Sequence, residues 1–263
     1  MFTEKNIIML ANEILKLGKT LKNLSQNKQF TVEKKQDNSS VTSADLYADA
    51  EIKKIIINIF GNIPILSEED TQENQQDIAK KEDYFITDPI DGTESFIAGD
   101  DFCVNIAYCN KNIPIFGIIS LPMQNIVYYT LNNKIYSFDG DIIEIKLQND
   151  TKNKIVIATG KRSFIGKQKI LFDNFIDQKN YKIDGIITKN AGIKYLSTIL
   201  GISDVTINFG PVKDWDLAMI YAIGKAHNFC MTDKNGDEIL FGKGDMSHKN
   251  GIIFHHFDLK TIH

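Results

Sequence analysis

In the stretch FITDPIDGTESF, Phe85 to Phe96, two aspartates, Asp88 and Asp91, flank a proline and an isoleucine, and a glycine and a threonine follow at once. Two carboxylates held this close repel each other strongly in a low-dielectric site unless a cation lies between them. The preceding residues, YFIT, read as a buried strand, which places Asp88 at a strand's carboxyl end, where sites in α/β and α+β proteins collect. The following residues, GTESFI, read as the start of a short helix whose first N–H groups, at Gly92 and Thr93, can receive phosphate oxygens. Gly92 lets a ligand approach the backbone, and Thr93 presents a hydroxyl beside it. Cations and an anion site together equip a protein for phosphate-ester chemistry. Asp-Pro and Asp-Gly are also common turn formers, so the same residues read equally well as a plain loop.

Two further acidic patches bear on that choice. SEED, residues 67–70, offers Glu68 as a ligand, but also reads as a capping box in which Ser67 caps a helix and Asp70 answers it. DWD, residues 214–216, offers Asp216, and equally suits a helix start, where acidic side chains complement the dipole. A donor set made of carboxylates, without histidine or thiolate, favours Mg²⁺, Mn²⁺ or Ca²⁺ over zinc.

These residues need elements to position them. Ile7, Leu10, Ile14, Leu17, Leu21 and Leu24 recur at alternating spacings of three and four, predicting a first helix. The polar segment 33–45 predicts a hairpin or loop, and a second helix is expected from Asp45 to Phe60 with Ile52, Ile55, Ile56 and Ile59 inside, stopped at Gly61 and Asn62. The stretch 71–83, TQENQQDIAKKED, reads as a solvated excursion. From Phe102 to Leu147, short runs rich in Ile, Val, Tyr and Phe predict an antiparallel sheet packed on the first two helices. Beyond residue 150, strands and helices alternate: KIVIATG, a helix near 165–177, IDGIITK, a helix near 191–200, DVTINF, a helix near 216–225 and HNFCMTD. An N-terminal α+β half, 1–150, and a C-terminal α/β half, 151–263, are therefore expected, with the boundary inside LQNDTKNK.

The 263 residues are 43% hydrophobic and carry a formal charge of -4, with no basic block to follow a nucleic-acid backbone. The cysteines, Cys103, Cys109 and Cys230, form no C-x-x-C pair, so neither a disulfide framework nor a thiolate zinc site is indicated, and a reducing cytoplasm fits. Glu4 and Glu13 interrupt what a signal peptide would keep apolar, and the longest apolar run, 113–123, is too short for a bilayer and contains two prolines. Cys103 and Cys109 share one face of a strand as small buried side chains, Trp215 packs in the core, and His255 and His256 carry no assigned role.

DPIDGT, preceded by SEE and by VTSAD and followed by WD near the C-terminus, resembles the inositol monophosphatase superfamily of magnesium-dependent, lithium-sensitive phosphatases, in the family's order and over nearly the whole chain. The resemblance implies a layered α/β/α/β/α sandwich. It implies that Glu68, Asp88, the carbonyl of Ile90, Asp91 and Asp216 ligate two or three Mg²⁺ ions, clamping an in-line displacement. Asp45 would accept a hydrogen bond from Thr93, and the pair would orient the attacking water, with Glu68 assisting through a second one. Gly92 and Thr93 would meet the phosphoryl oxygens.

Within the superfamily, DNSSVT, FCVNIA and FGPVKDWD are most similar to the bacterial CysQ-type 3'(2'),5'-bisphosphate nucleotidases, which remove the 3'-phosphate of adenosine 3',5'-bisphosphate. Three positions depart from that pattern: Glu94 stands where lysine is usual, Ser40 where proline is, and Phe164 where histidine is. Arg162, Ser163 and Lys194 are candidates for a second phosphate or ribose, or ordinary surface residues, and Asp216 is a candidate substrate contact as well as a ligand. The alternatives are an inositol-1-phosphate or sugar phosphate phosphatase, and a member acting chiefly by binding a regulatory partner. Both a homodimer and a monomer are compatible with the resemblance.

Overall fold

A computed structural model of the chain describes residues 2–34, 40–146, 155–179 and 182–256. The apolar stripe of the first segment forms α1 (Glu4–Asn27), capped by the Thr3 side chain, which accepts from the Asn6 N–H. Ile7, Leu10, Ile14, Leu17 and Leu21 are buried along it, each worth about 1.5–3 kcal/mol relative to exposure. A hairpin of β1 (Val32–Lys34) and β2 (Ser40–Thr42) follows; residues 35–39 of the expected loop lie outside the described residues. The second helix, α2 (Ser43–Phe60), starts two residues before its expected position because Thr42 and Asp45 form a reciprocal capping box. Gly61, at a positive φ of 85° that only glycine adopts readily, ends it.

The β-rich region makes a seven-stranded sheet in sequence order: β3 (Ile65–Ser67), β4 (Asp83–Asp91), β5 (Cys103–Asn110), β6 (Ile113–Leu121), β7 (Ile126–Leu131), β8 (Lys134–Phe138) and β9 (Ile142–Ile145). Only the β3/β4 pair is parallel. Between them, the stretch read as a solvated excursion contains α3 (Gln72–Ala79), capped by Thr71. Its surface is largely exposed, so no apolar stripe announces it; a cap, one buried glutamine and the packing of Ile78 and Ala79 on the core hold it.

The C-terminal half builds a five-stranded sheet from β10 (Ile155–Thr159), β11 (Ile183–Thr188), β12 (Val205–Asn208), β13 (Phe229–Thr232) and β14 (Ile252–His256), in the order β11-β10-β12-β14-β13. β14, which includes His255 and His256, is, with the three-residue β3, a strand not anticipated: five residues isolated behind a long loop carry too little periodicity to stand out. The connecting helices are α4 (Thr93–Ala98) in the first half and α5 (Gly166–Lys179), α6 (Ile193–Ile199) and α7 (Asp214–Lys225) in the second.

Alternation along the strands sorts the core into layers. Val104, Ile106 and Tyr108 of β5 face α1 and α2, whereas Cys103, Ala107 and Cys109 face α6 and α7. The latter two helices are packed between the sheets, and α5 covers the far side of the second sheet through Phe172 and Phe175. The order is therefore α/β/α/β/α. One apolar cluster runs from Leu66 and Ile86 of the first sheet through Leu217 and Met219 to Phe254 of the second. The expected division, within residues 147–154, lies outside the described residues.

α7 lies hard against the first sheet. A Cβ at Gly117 on β6 would fall 2.3 Å from the Met219 carbonyl oxygen. A main-chain oxygen cannot swing aside as a side-chain end can, so α7 sits where it does because residue 117 has no side chain. Gly117→Ala should lower stability by about 1–3 kcal/mol, measured as a lower urea midpoint at unchanged m-value.

Candidate active site

A strand sends residues three apart to opposite faces, yet the chemistry of Asp88 and Asp91 requires one side. The structure resolves this with a bulge: Asp88 pairs with Asn105 but Asp91 with Cys103, so β4 spends one residue more than β5 over the interval. Pro89 suits the irregular step because it has no N–H to leave unpaired. Within the bulge the Ile90 N–H donates to Asp88 Oδ1 at 3.1 Å. Gly92, at φ 96°, then turns the chain into α4.

Asp91 is fixed from one side only. Its Oδ2 accepts from Asn105 Nδ2 at 2.9 Å, from the Gly192 N–H at 2.7 Å and from Cys103 Sγ at 3.5 Å. Asp216, in the first turn of α7, is treated similarly, its Oδ2 accepting from the Lys213 N–H at 2.7 Å. Ligand oxygens of Asp88, Asp91 and Asp216 lie within 4.8 Å of one another. Glu68 faces the same cluster, where its charge acts on both Asp88 and Asp216.

Glu68 sits in a turn rather than a helix cap. The Ser67 N–H donates to Asp70 Oδ2 and the Glu69 N–H to Ser67 Oγ, but the helix starts only at Gln72. Gln75 of α3, buried, donates Nε2 to the carbonyls of Ser67 and Glu68 at 2.8 and 3.2 Å, and Lys53 of α2 ties Asp70 at 2.9 Å. Sequence reasoning missed Gln75, Lys53, Asn105 and Gly192. Asn105 alone left a signal, an amide in the middle of the apolar run FCVNIAYC.

Thr93 Oγ1 lies 3.3 Å from Asp45 Oδ1 and 3.4 Å from the Ile90 carbonyl, either of which can accept its proton. Asp45 is buried, and its Oδ2 is taken by the Thr42 N–H and hydroxyl at 2.7 and 2.6 Å. One carboxylate thus caps α2 with one oxygen and offers the other to Thr93. The two departures at 40 and 94 meet: Ser40 Oγ donates to Glu94 Oε1 at 2.6 Å and accepts from Lys34 Nζ at 2.7 Å, tying the hairpin to α4.

The candidate substrate contacts separate. Lys194 is buried near the cluster, its Nζ donating to the Ala191 carbonyl at 2.9 Å. Ser163 is buried with its hydroxyl 2.6 Å from Thr159 Oγ1, so it faces inward, while Arg162 beside it is exposed.

Burial, reinforced by the charges of Glu68, Asp91 and Asp216, pushes the Asp88 carboxyl well above the usual carboxylate range. Burial and then Asp91 and Glu68 raise Asp216 likewise. Burial lowers the Lys194 ammonium, against the pull of Asp91 and Asp216. One buried lysine beside four carboxylates leaves an excess of negative charge, and an oxygen-only donor set of this kind fits a hard divalent cation.

A family model described as the inositol monophosphatase family matches residues 5–260. The chain belongs to the inositol monophosphatase family. Among curated relatives, the 3'(2'),5'-bisphosphate nucleotidase CysQ of Haemophilus influenzae is 28% identical over 218 residues, 80% of this chain and 78% of that protein. Among family members of solved structure, CysQ from Bacteroides thetaiotaomicron superposes with a TM-score of 0.74 at 20% identity, covering 97% of this chain and 98% of that one. An IMPase/NADP phosphatase complexed with Mg²⁺ and phosphate gives 0.73 at 19% identity, over 93% and 89% of the two chains. The family fold is thus shared across the whole layered sandwich. No helix among the described residues is long and apolar enough to cross a membrane.

The raised carboxyls have a consequence for stability. A folded-state pKa above the unfolded value means that the native protein keeps protons the unfolded chain has already released, so stability falls as pH rises between the two. Without divalent cations, the protein should lose stability as pH rises above the ordinary carboxylate range. Asp88→Asn should flatten that slope and raise Tm at the alkaline end by about 2–4 °C, roughly 1 kcal/mol, as read by calorimetry in chelator.

Proposed function

We propose that the protein is a Mg²⁺-dependent phosphomonoesterase that removes the 3'-phosphate of adenosine 3',5'-bisphosphate. The observation that carries the reaction class is the convergence of Asp88, Asp91 and Asp216 on one point beside Glu68, next to the Thr93 and Asp45 pair. Family membership and the likeness to the CysQ nucleotidases support the substrate.

Glu68, Asp88, the Ile90 carbonyl, Asp91 and Asp216 would hold two or three Mg²⁺ ions. When bound, Mg²⁺ supplies Lewis-acid polarisation of the phosphoryl group and lowers the pKa of the attacking water. The chain's own part is orientation. In its hydrogen bond to Asp45 Oδ1, Thr93 Oγ1 has given up its proton direction and keeps lone pairs free to accept from water. Because Thr42 occupies Asp45 Oδ2, the proton route runs through Oδ1 alone. The bonds that fix one oxygen of Asp91 and one of Asp216 leave their other oxygens to face a cation. Gly92 and Thr93 N–H groups would meet charge on the phosphoryl oxygens.

Phosphate release should require Mg²⁺, be suppressed by Li⁺, and favour adenosine 3',5'-bisphosphate over inositol 1-phosphate, fructose 1,6-bisphosphate and NADP⁺. Asp91→Asn should cost at least about 10²-fold in kcat/KM, and Thr93→Val about 10²–10⁴-fold in kcat. Undiminished turnover in Asp91→Asn would sink the proposal. Preference for inositol 1-phosphate would move the substrate to that branch, and a stable partner bound equally by inactive Asp91→Asn protein would favour a regulatory role.

A further inference from the structure

The parallel strands β10 and β11 end side by side, Thr159 paired with Thr188. The chain leaving each of them carries a lysine, Lys161 and Lys189, on one rim. The carboxyl ends of neighbouring parallel strands are where open α/β sheets form ligand crevices. Here a cavity of about 520 Å³ is lined by both lysines and, from the other half of the molecule, by Lys22 of α1 and by Asp100 and Asp101 after α4.

The cavity adjoins the acidic cluster. Asn190 lines it and donates Nδ2 to Ser95 Oγ at 2.8 Å, and two residues later the Gly192 N–H holds Asp91. Asn190 and Gly192, at most about 7 Å apart along the chain, thus join the cavity wall to the acidic cluster.

Its charges are unevenly committed. Lys22 donates Nζ to the Met123 carbonyl at 2.9 Å, and Asp101 accepts from Gln124 Nε2 at 2.8 Å. Among the described residues the ammonium groups of Lys161 and Lys189 enter no ion pair or hydrogen bond; of the residues expected to receive a second phosphate, Ser163 and Lys194 are buried and bonded internally, and Arg162 is exposed next to Lys161. A lone anion would meet Asp100 and Asp101 across the cavity. A ligand with one anionic end and a body rich in hydrogen-bond donors satisfies both walls.

We propose that Lys161 and Lys189, backed by Lys22, form the subsite for the second phosphate of a bisphosphate nucleotide, with Asp100 opposite accepting from its hydroxyl or amino groups. This rests on the nucleotidase reading above. The test compares kcat/KM for adenosine 3',5'-bisphosphate and adenosine 3'-monophosphate in the wild type, in Lys161→Gln/Lys189→Gln and in Lys161→Arg/Lys189→Arg. The ratio of the two values should fall about tenfold or more in the glutamine pair, through KM for the bisphosphate, and recover in the arginine pair, since guanidinium also binds phosphate. Calorimetric titration with AMP and with adenosine gives a readout free of turnover: the preference for AMP should shrink in parallel. A ratio unchanged in the glutamine pair, or an equal loss on both substrates, overturns the subsite and leaves the nucleotidase reading standing. A wild type that does not prefer the bisphosphate overturns both.

Discussion

Four carboxylates brought together in a buried place would, by themselves, push a protein apart. Asp88, Asp91, Asp216 and Glu68 come from three separate segments of the chain, and their mutual repulsion, with burial, shows in the raised protonation of Asp88 and Asp216. Much of the surrounding structure holds them against that force. The bulge in β4 turns two aspartates to one side, Asn105 and Gly192 seize one oxygen of Asp91, Gln75 holds the backbone of the Glu68 turn, and a glycine at 117 lets α7 press close enough to deliver Asp216. The fold stores unfavourable electrostatics that a divalent cation relieves, which makes affinity for the cation and instability without it two aspects of one arrangement.

Side chains near the cluster tend to serve twice. Asp45 caps α2 and accepts from Thr93, so the helix start and that hydrogen bond share one geometry. Lys53 joins α2 to the turn that carries Glu68, through Asp70, while also pairing with Asp49 on its own helix. Ser40 and Glu94, each unusual against the nucleotidase pattern, explain each other: a charge reversed on α4 is met by a hydroxyl and by Lys34 from the hairpin. Such sharing narrows the substitutions each position tolerates, because a change that suits one role disturbs the other.

How much of this was legible in the sequence follows from what each element depends on. α1 declares itself through periodicity, since it buries one stripe, and the strands β5 to β8 through short runs rich in Ile, Val, Tyr and Phe, β5 being buried on both faces. The acidic motifs were legible as a set, VTSAD, SEE, DPIDGT and WD in the family's order, since each alone reads equally well as a turn or a helix start. α3 was not, because it is held by a cap and by Gln75 reaching into a neighbouring turn, a contact set by tertiary structure. β14 was not, because its partners β12 and β13 precede it by long stretches and its five residues carry little pattern alone. Ser163 reads as an accessible hydroxyl in GKRSF but is claimed by Thr159, which no local rule reveals.

The position of β14 also sets an order on synthesis. It enters between β12 and β13, and its Phe254 packs so closely on α7 that a Cβ at Gly224 would lie 2.7 Å from the ring. A ribosome therefore releases Asp88 and Asp91 long before Asp216 is made, and Asp216 before its helix has its final seat. The nascent chain must carry a half-built cluster of charge, with its second sheet still open at the middle, until the closing strand arrives. A chain that stops short of β14 would encode all four carboxylates yet lack the strand whose Phe254 packs on the helix that carries Asp216.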